Sequence, residues 1–144
     1  MVCNTIHLYF DQLQEEIQTP ILDLREELRN ILKRKGIKSA LIVGTPNTIK
    51  QGLYRFPGIK TFEPSEQEMR QLSETIFLFN KGVDKPRQVQ KATKICRQYL
   101  QKGARTVILG CTEFAVMLGQ ENMPKINTID VLVEATVRRF IGKR

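Results

Sequence analysis

Two cysteines of this sequence stand in similar surroundings. Cys3 begins the segment CNTIHLYF and Cys111 begins CTEFAVML, so each precedes two polar residues and an apolar run with helical spacing. A thiol at such a turn faces unpaired backbone N–H groups at the helix start, which lower its pKa and favour the thiolate. Two such turns facing each other would place a thiolate and a thiol on opposite faces of a bound molecule. That arrangement suits removal of a proton from one face of a carbon and return of a proton to the other.

Core packing is the simpler interpretation of these cysteines, because free Cys is among the most buried residue types. Cys96 fits it well, since it shares a helical face with Ala92, Tyr99 and Leu100, and we predict that it packs in the core. Three cysteines at wide spacings match neither a disulfide framework nor paired zinc-ligand clusters. We therefore expect reduced thiols and no metal site.

The hydrophobic pattern predicts helices that alternate with short buried strands. Continuous apolar runs at 39–43 and 106–110, each bounded by turn residues, predict buried parallel strands, and shorter strands are expected near 59–62 and 126. We predict helices over about 4–18, 25–35, 86–102 and 129–141, a short helix capped by Asn47 or Thr48, a helix opened by a Ser65–Glu68 capping box, and a short helix after Cys111. This order is typical of a doubly wound, three-layer α/β fold with a mostly parallel sheet.

Two polar loops follow the two strongest predicted strands. GTPNT comes after the strand at 39–43, and GCTE comes after the strand at 106–110. Open α/β sheets bind ligands beyond the carboxyl ends of their strands, so both loops are expected at a ligand site.

Composition and charge narrow the function classes. The chain has 144 residues, is 41% hydrophobic and carries a formal net charge of +8. The basic residues are interleaved with acidic ones, so we expect a solvated surface that attracts anionic small molecules rather than a nucleic-acid site. No segment has the length of a membrane span or the pattern of a signal peptide, so we expect a cytoplasmic protein with no membrane partner.

The segments CNTIH at 3–7, VGTPNTIKQGLY at 43–54, GARTVILGCTEFAVML at 103–118 and INTID at 126–130 resemble, in order and wording, the aspartate/glutamate racemase family. The resemblance covers essentially the whole chain and favours the aspartate racemases and their broad-specificity relatives, because Glu113 stands where glutamate racemases usually have His. It implies an isomerase that interconverts L and D amino acids without pyridoxal phosphate or metal, using two cysteines as acid and base on either face of the α-carbon.

Position by position, the resemblance implies Cys3 and Cys111 as the two acid/base thiols. Asn4 and Thr5 would bind the substrate α-carboxylate, which agrees with their place at a helix start. Thr45 matches a family position that contacts substrate.

Three further residues have weaker signals. Thr112 and Glu113 flank the second thiol, Thr112 as a substrate-binding candidate and Glu113 as a residue that caps the turn or tunes the thiol. Lys81 resembles a basic residue that pairs with the side-chain carboxylate of aspartate, and a solvated loop lysine is the alternative. For His7, in the CNTxH motif, we expect a structural hydrogen bond.

In the family, the first cysteine lies near the middle of the protein, whereas here it is residue 3. We therefore expect an N-terminally truncated chain corresponding to the C-terminal half of a two-domain racemase. Residues 1–37 would be leading helices left from the preceding half and the interdomain connection, 38–128 the α/β racemase-like domain and 129–144 a C-terminal helix. An apolar face on the leading helix would promote self-association, so a homo-oligomer is expected.

Three hypotheses about function remain open at this stage. The first is an amino-acid racemase of the aspartate or glutamate type. The second is a non-catalytic remnant of the racemase fold that acts as a binding or interaction module. The third, nucleic-acid binding driven by the positive charge, is the weakest and predicts an affinity that falls steeply with salt.

Overall fold

A computed structural model describes residues 1–142 and contains a four-stranded parallel sheet. In the order β2-β1-β3-β4, its strands are β1 (Ser39–Val43), β2 (Lys60–Phe62), β3 (Val107–Leu109) and β4 (Lys125–Asn127). In the central pair, Leu41 lies opposite Val107 and Val43 opposite Leu109. The two continuous apolar runs thus form the centre of the sheet, where both faces are buried, as predicted.

Seven α-helices and one short 3-10 helix surround the sheet in the described residues. The 3-10 helix is Thr5–Tyr9, and the α-helices are α1 (Phe10–Glu16), α2 (Leu24–Arg34), α3 (Pro46–Lys50), α4 (Glu66–Asn80), α5 (Lys85–Gln101), α6 (Thr112–Leu118) and α7 (Thr128–Ile141). Residues 143 and 144, the end of the predicted C-terminal segment, lie outside the described residues. None of the helices between residues 1 and 142 combines the length and the apolar character that a membrane span needs.

The two faces of the sheet are covered by different helices. Leu41, Val43, Val107 and Leu109 point into a core with α4, α5 and α6, whereas Ala40, Ile42 and Ile108 belong to a second core with α2 and α7. This division follows from the alternation of side chains along a strand. The predicted three-layer α/β fold is therefore confirmed.

Local sequence signals explain several helix ends. Ser65 and Glu68 form the predicted capping box of α4, and Gly36 follows α2 with a φ of +63°. Cys96, on α5, is fully buried in the first core, as predicted for a packing residue. The prediction that Asn47 or Thr48 caps α3 is wrong. Thr45 is the cap residue, because its side chain accepts a hydrogen bond from the backbone N–H of Thr48.

The single amphipathic helix predicted over 4–18 is also wrong. The segment divides at Tyr9, which has a φ of −107° and a ψ of 20°, into the 3-10 helix and α1. The predicted apolar face is not buried, because Ile6, Tyr9 and Ile17 are exposed and α1 has no buried residue. A helix start without a side-chain cap explains part of the difference: Asn4 makes no capping bond, and its oxygen is used in a long-range contact instead.

Candidate active site

The carboxyl ends of β1 and β3 bring two predicted site loops together. These strands are parallel neighbours, so the loops that carry Thr45 and Cys111 leave the sheet at the same edge. The N–H of Gly110 donates to the carbonyl of Val43 at 2.7 Å. A Cβ on Gly44 would lie 3.0 Å from the carbonyl oxygen of Gly110, so glycine permits this close approach of the two loops.

Three threonine hydroxyls connect the Cys3 turn to the first of these loops. The Oγ1 of Thr5 lies 3.2 Å from that of Thr45 and 2.9 Å from that of Thr48, and the last two are 3.0 Å apart. Thr5 and Thr45, both predicted site residues, are therefore in direct contact. From sequence, Thr48 was considered only as a helix cap. Its spacing of three residues from Thr45, which places both on one helix turn, is the signal that could have identified it as a member of this cluster.

Asn4 is buried beside this cluster. The hydroxyl of Tyr54 donates to its Oδ1, whereas its Nδ2 has no hydrogen-bond partner among the described residues. Sequence reasoning did not single out Tyr54, although the residue falls within the GTPNTIKQGLY segment. A buried amide donor without a partner is costly, which marks this position as one where a ligand oxygen would be accommodated.

Cys111 lies at the start of α6 and is almost fully buried. Its Sγ–H donates to Oε2 of Glu113 at 3.1 Å, and the hydroxyl of Thr112 donates to the same oxygen at 2.9 Å. Thr112 and Cys111 thus share one carboxylate oxygen of Glu113.

The expectation that the helix start favours a thiolate is wrong for Cys111. Burial raises the pKa of its thiol to about 12, and Glu113 adds to the rise, while the backbone N–H groups of Phe114 and Glu113 act in the opposite direction without overcoming it. For the Glu113 carboxyl, burial acts to raise the pKa, but hydrogen bonds, that from Cys111 foremost, outweigh it and the pKa is lowered. The resting pair is therefore a neutral thiol beside a carboxylate.

Cys3 has a different environment. It is exposed, and it lies in an irregular segment directly ahead of Asn4 and the 3-10 helix. Burial raises the pKa of the Tyr54 phenol, and the charge of Asp23 acts in the same direction. The Tyr54 side chain contacts Asn4, which follows Cys3, and packs against Gly110, which precedes Cys111.

His7 and Lys81 have no hydrogen bond or ring contact with the threonine cluster or with Cys111 in the described residues, and each has other neighbours. The buried ring of His7 stacks against Phe10, and its Nε2 lies 3.4 Å from the carbonyl of Met1, which agrees with the expected structural hydrogen bond. Lys81 is exposed at the end of α4, where its Nζ lies 4.5 Å from the ring centre of Phe77. Among the described residues, Lys81 has no side-chain hydrogen bond or ion pair with another site residue.

A family match covers almost the whole chain. The sequence profile described as Asp/Glu/Hydantoin racemase matches residues 1–137. The chain belongs to this racemase family. The two cysteine turns and the Thr45 loop all fall within the matched residues.

The chain is similar in sequence to two named racemases and in structure to an aspartate racemase homologue. It is 23% identical over 148 residues to the broad specificity amino-acid racemase RacX of Bacillus subtilis, and 29% identical over 135 residues to a glutamate racemase of Carboxydothermus hydrogenoformans. These alignments cover 97% and 89% of the chain. The crystal structure of an aspartate racemase homologue from Pyrococcus horikoshii superposes with a TM-score of 0.80 at 22% identity, over 94% of this chain and 63% of that one.

The chain spans only part of the curated racemases that it matches, 63% of the Bacillus protein and 49% of the Carboxydothermus protein. The family and the fold follow from these matches.

Proposed function

We propose that the chain is an amino-acid racemase that interconverts the L and D forms of aspartate or glutamate by proton transfer at Cα. The observation that carries the proposal is the contact of Thr5 with Thr45 and Thr48, because it holds the Cys3 turn at the sheet edge where Cys111 begins α6. Two thiols beside a cluster of hydroxyl and amide donors are the groups that a two-base inversion of a carbon centre requires.

In this proposal the thiolate of Cys3 removes the α-proton from one face of the substrate, and the electron pair of the C–H bond stays on Cα. The thiol of Cys111 then delivers its proton to the opposite face. Cys3 ends as a thiol and Cys111 as a thiolate, and the reverse sequence converts the product back. Burial, which raises the pKa of Cys111 to about 12, keeps this group in the protonated form that donates.

Substrate binding would use the donors around Asn4. The free Nδ2 of Asn4 and the hydroxyls of Thr5 and Thr45 suit an α-carboxylate, since amide and hydroxyl groups both donate to carboxylate oxygens. Lys81 is the proposed partner of the side-chain carboxylate. It is exposed on the helix that packs against α6, and it would leave the ring of Phe77 to reach a substrate.

Racemisation of L-aspartate and L-glutamate, followed by circular dichroism of the amino acid, tests the proposal. We expect turnover by the wild-type chain and none by Cys111→Ser. Cys96→Ala is the matched control, because it removes a thiol that is buried in the α5 core and should retain turnover. A folded wild-type chain that leaves the optical activity of both amino acids unchanged would refute the proposed reaction.

A second candidate function is a module that binds an amino acid without turnover. The burial of Cys111 favours it, because a thiol with a pKa of about 12 is a poor base at neutral pH. Titration calorimetry with aspartate separates the two candidates. Binding without racemisation, and insensitive to Cys111→Ser, would establish the module and exclude the enzyme.

A further inference from the structure

One buried side chain, Tyr54, contacts the residue next to each of the two cysteines. Its ring packs against Gly110, where an added Cβ would lie 3.2 Å from Cε2 of the ring, and Gly110 directly precedes Cys111. Its hydroxyl donates to Oδ1 of Asn4, which directly follows Cys3. The side chain is 1% exposed, so these neighbours fix its position.

The bond from Tyr54 determines how the Asn4 amide is oriented. An Asn side chain has one acceptor oxygen and an NH2 group with two donors. Because the Tyr54 hydroxyl donates to the oxygen, the NH2 group must point away from the phenol. That group is buried without a partner among the described residues, so the orientation leaves two donors available to an acceptor that a ligand brings.

The phenol is suited to a permanent donor role. Burial raises its pKa, and the negative charge of Asp23 acts in the same direction. The O–H group therefore stays protonated at neutral pH and continues to select the oxygen of Asn4.

We propose that Tyr54 is a positioning residue that presents the Asn4 NH2 group to the substrate carboxylate and holds the Cys111 turn against the Cys3 turn. The role of Tyr54 toward substrate rests on the proposed function, whereas the orientation of the Asn4 amide is a property of the free protein.

The test uses Tyr54→Phe, which keeps the ring on Gly110 and removes only the hydroxyl. Tyr99→Phe is the matched control, because the Tyr99 hydroxyl donates to Glu68 at 2.7 Å between α5 and α4, in a separate hydrogen bond. The readouts are the side-chain NH2 signals of Asn4 in protein labelled with ¹⁵N-asparagine, assigned with Asn4→Ala, and the affinity for L-aspartate by calorimetry.

We expect Y54F to move the Asn4 NH2 signals and to weaken aspartate binding about tenfold, the loss typical of one misdirected hydrogen bond. Y99F should change neither. In the N4A background, Y54F should cause no further loss, because a positioning role acts through Asn4. A loss that is equally large in that background would identify a general packing effect and overturn the proposal.

Two further results keep the outcomes distinct. If wild-type protein binds no aspartate, the proposed function fails, and the Asn4 signals alone decide the orientation. In the wild type, the buried Tyr54 hydroxyl proton should exchange slowly and show a nuclear Overhauser effect to the Asn4 Cβ protons. Absence of that contact, or Asn4 signals unchanged in Y54F, would overturn the inference.

Discussion

The Cys3 turn and the Cys111 turn have similar sequences and different surroundings. Cys111 follows β3 and precedes α6, and its side chain is 3% exposed. Cys3 precedes a 3-10 helix and is exposed. A strand at the centre of the sheet, and not the polar residues after the cysteine, therefore determines how deeply the thiol is buried.

This difference has a chemical consequence. The α6 start supplies N–H groups near the Cys111 sulfur, yet burial dominates and the pKa of the thiol rises to about 12. In the proposed reaction the two thiols are therefore unequal at rest, with Cys111 suited to donate a proton.

The largest expected effect is on alkylation by iodoacetamide at pH 8. Cys3 should react at least about 100-fold faster than Cys111, because Cys3 is exposed and a thiol with a pKa near 12 has very little thiolate at that pH. Mass spectrometry of the labelled peptides measures both rates in one sample. Cys96, whose pKa burial also raises to about 12, is the internal reference for a packed thiol. Similar alkylation rates at Cys3 and Cys111 would contradict the inferred difference between the two thiols.

The contact between the two loops can be broken at Gly110. In Gly110→Ala the new Cβ would lie 3.1 Å from the Val43 carbonyl and 3.2 Å from the Tyr54 ring, neither of which can move freely. We expect the free energy of unfolding to fall by about 2 kcal/mol, as measured by urea denaturation. Gly36→Ala is the control: it meets no atom within 4 Å and should lose about 1 kcal/mol through its positive φ alone. Equal losses would mean that the loops are not closely packed.

A smaller effect is expected from Glu113→Gln. The Glu113 charge helps to raise the pKa of Cys111, so the neutral amide should lower that pKa and speed alkylation of Cys111 about threefold. The Cys3 rate should not change. Glu63→Gln, which removes a surface carboxylate paired with Arg55, serves as the control. An unchanged or slower Cys111 rate would show that Glu113 does not influence the thiol.

The smallest effect concerns the pH dependence of the Cys3 segment. Burial lowers the pKa of His7 below its ordinary value of 6.5, against the bond to Met1 and the charge of Asp23, which raise it. The folded segment therefore favours neutral His7. The contribution of His7 to stability is present above pH 6.5 and is lost as the pH falls through the lower pKa that His7 has in the folded protein. Hydrogen exchange, corrected for its intrinsic pH dependence, should show reduced protection of residues 5–9 at low pH. A His7→Gln variant should lack this dependence, and its persistence there would exclude His7 as the cause.

Much of the fold could be predicted because its signals are local. The apolar runs of β1 and β3 and the Ser65–Glu68 capping box each depend on a few adjacent residues. The helix predicted over 4–18 failed because periodicity alone does not say which face the rest of the chain covers, and Ile6 and Tyr9 remain exposed.

The site divides in the same way. The motifs predicted that Thr5 and Thr45 belong to one site, and the structure brings them together. Tyr54 was missed because its role depends on contacts with Asn4, 50 residues away in sequence, and with Gly110. The rise in the Cys111 pKa was missed because burial is a tertiary property that the turn sequence does not encode.

The most direct test of the two-thiol account is exchange of the α-hydrogen of each aspartate enantiomer in D2O, followed by proton NMR for Cys3→Ser and Cys111→Ser. Each variant keeps one of the two site thiols, which in this account faces one side of Cα, and the core thiol Cys96 is unchanged in both. The account predicts that the wild-type chain exchanges both enantiomers, whereas each variant exchanges only one and the two variants select opposite enantiomers. A folded wild-type chain that exchanges neither enantiomer, or variants that both exchange both, would contradict it.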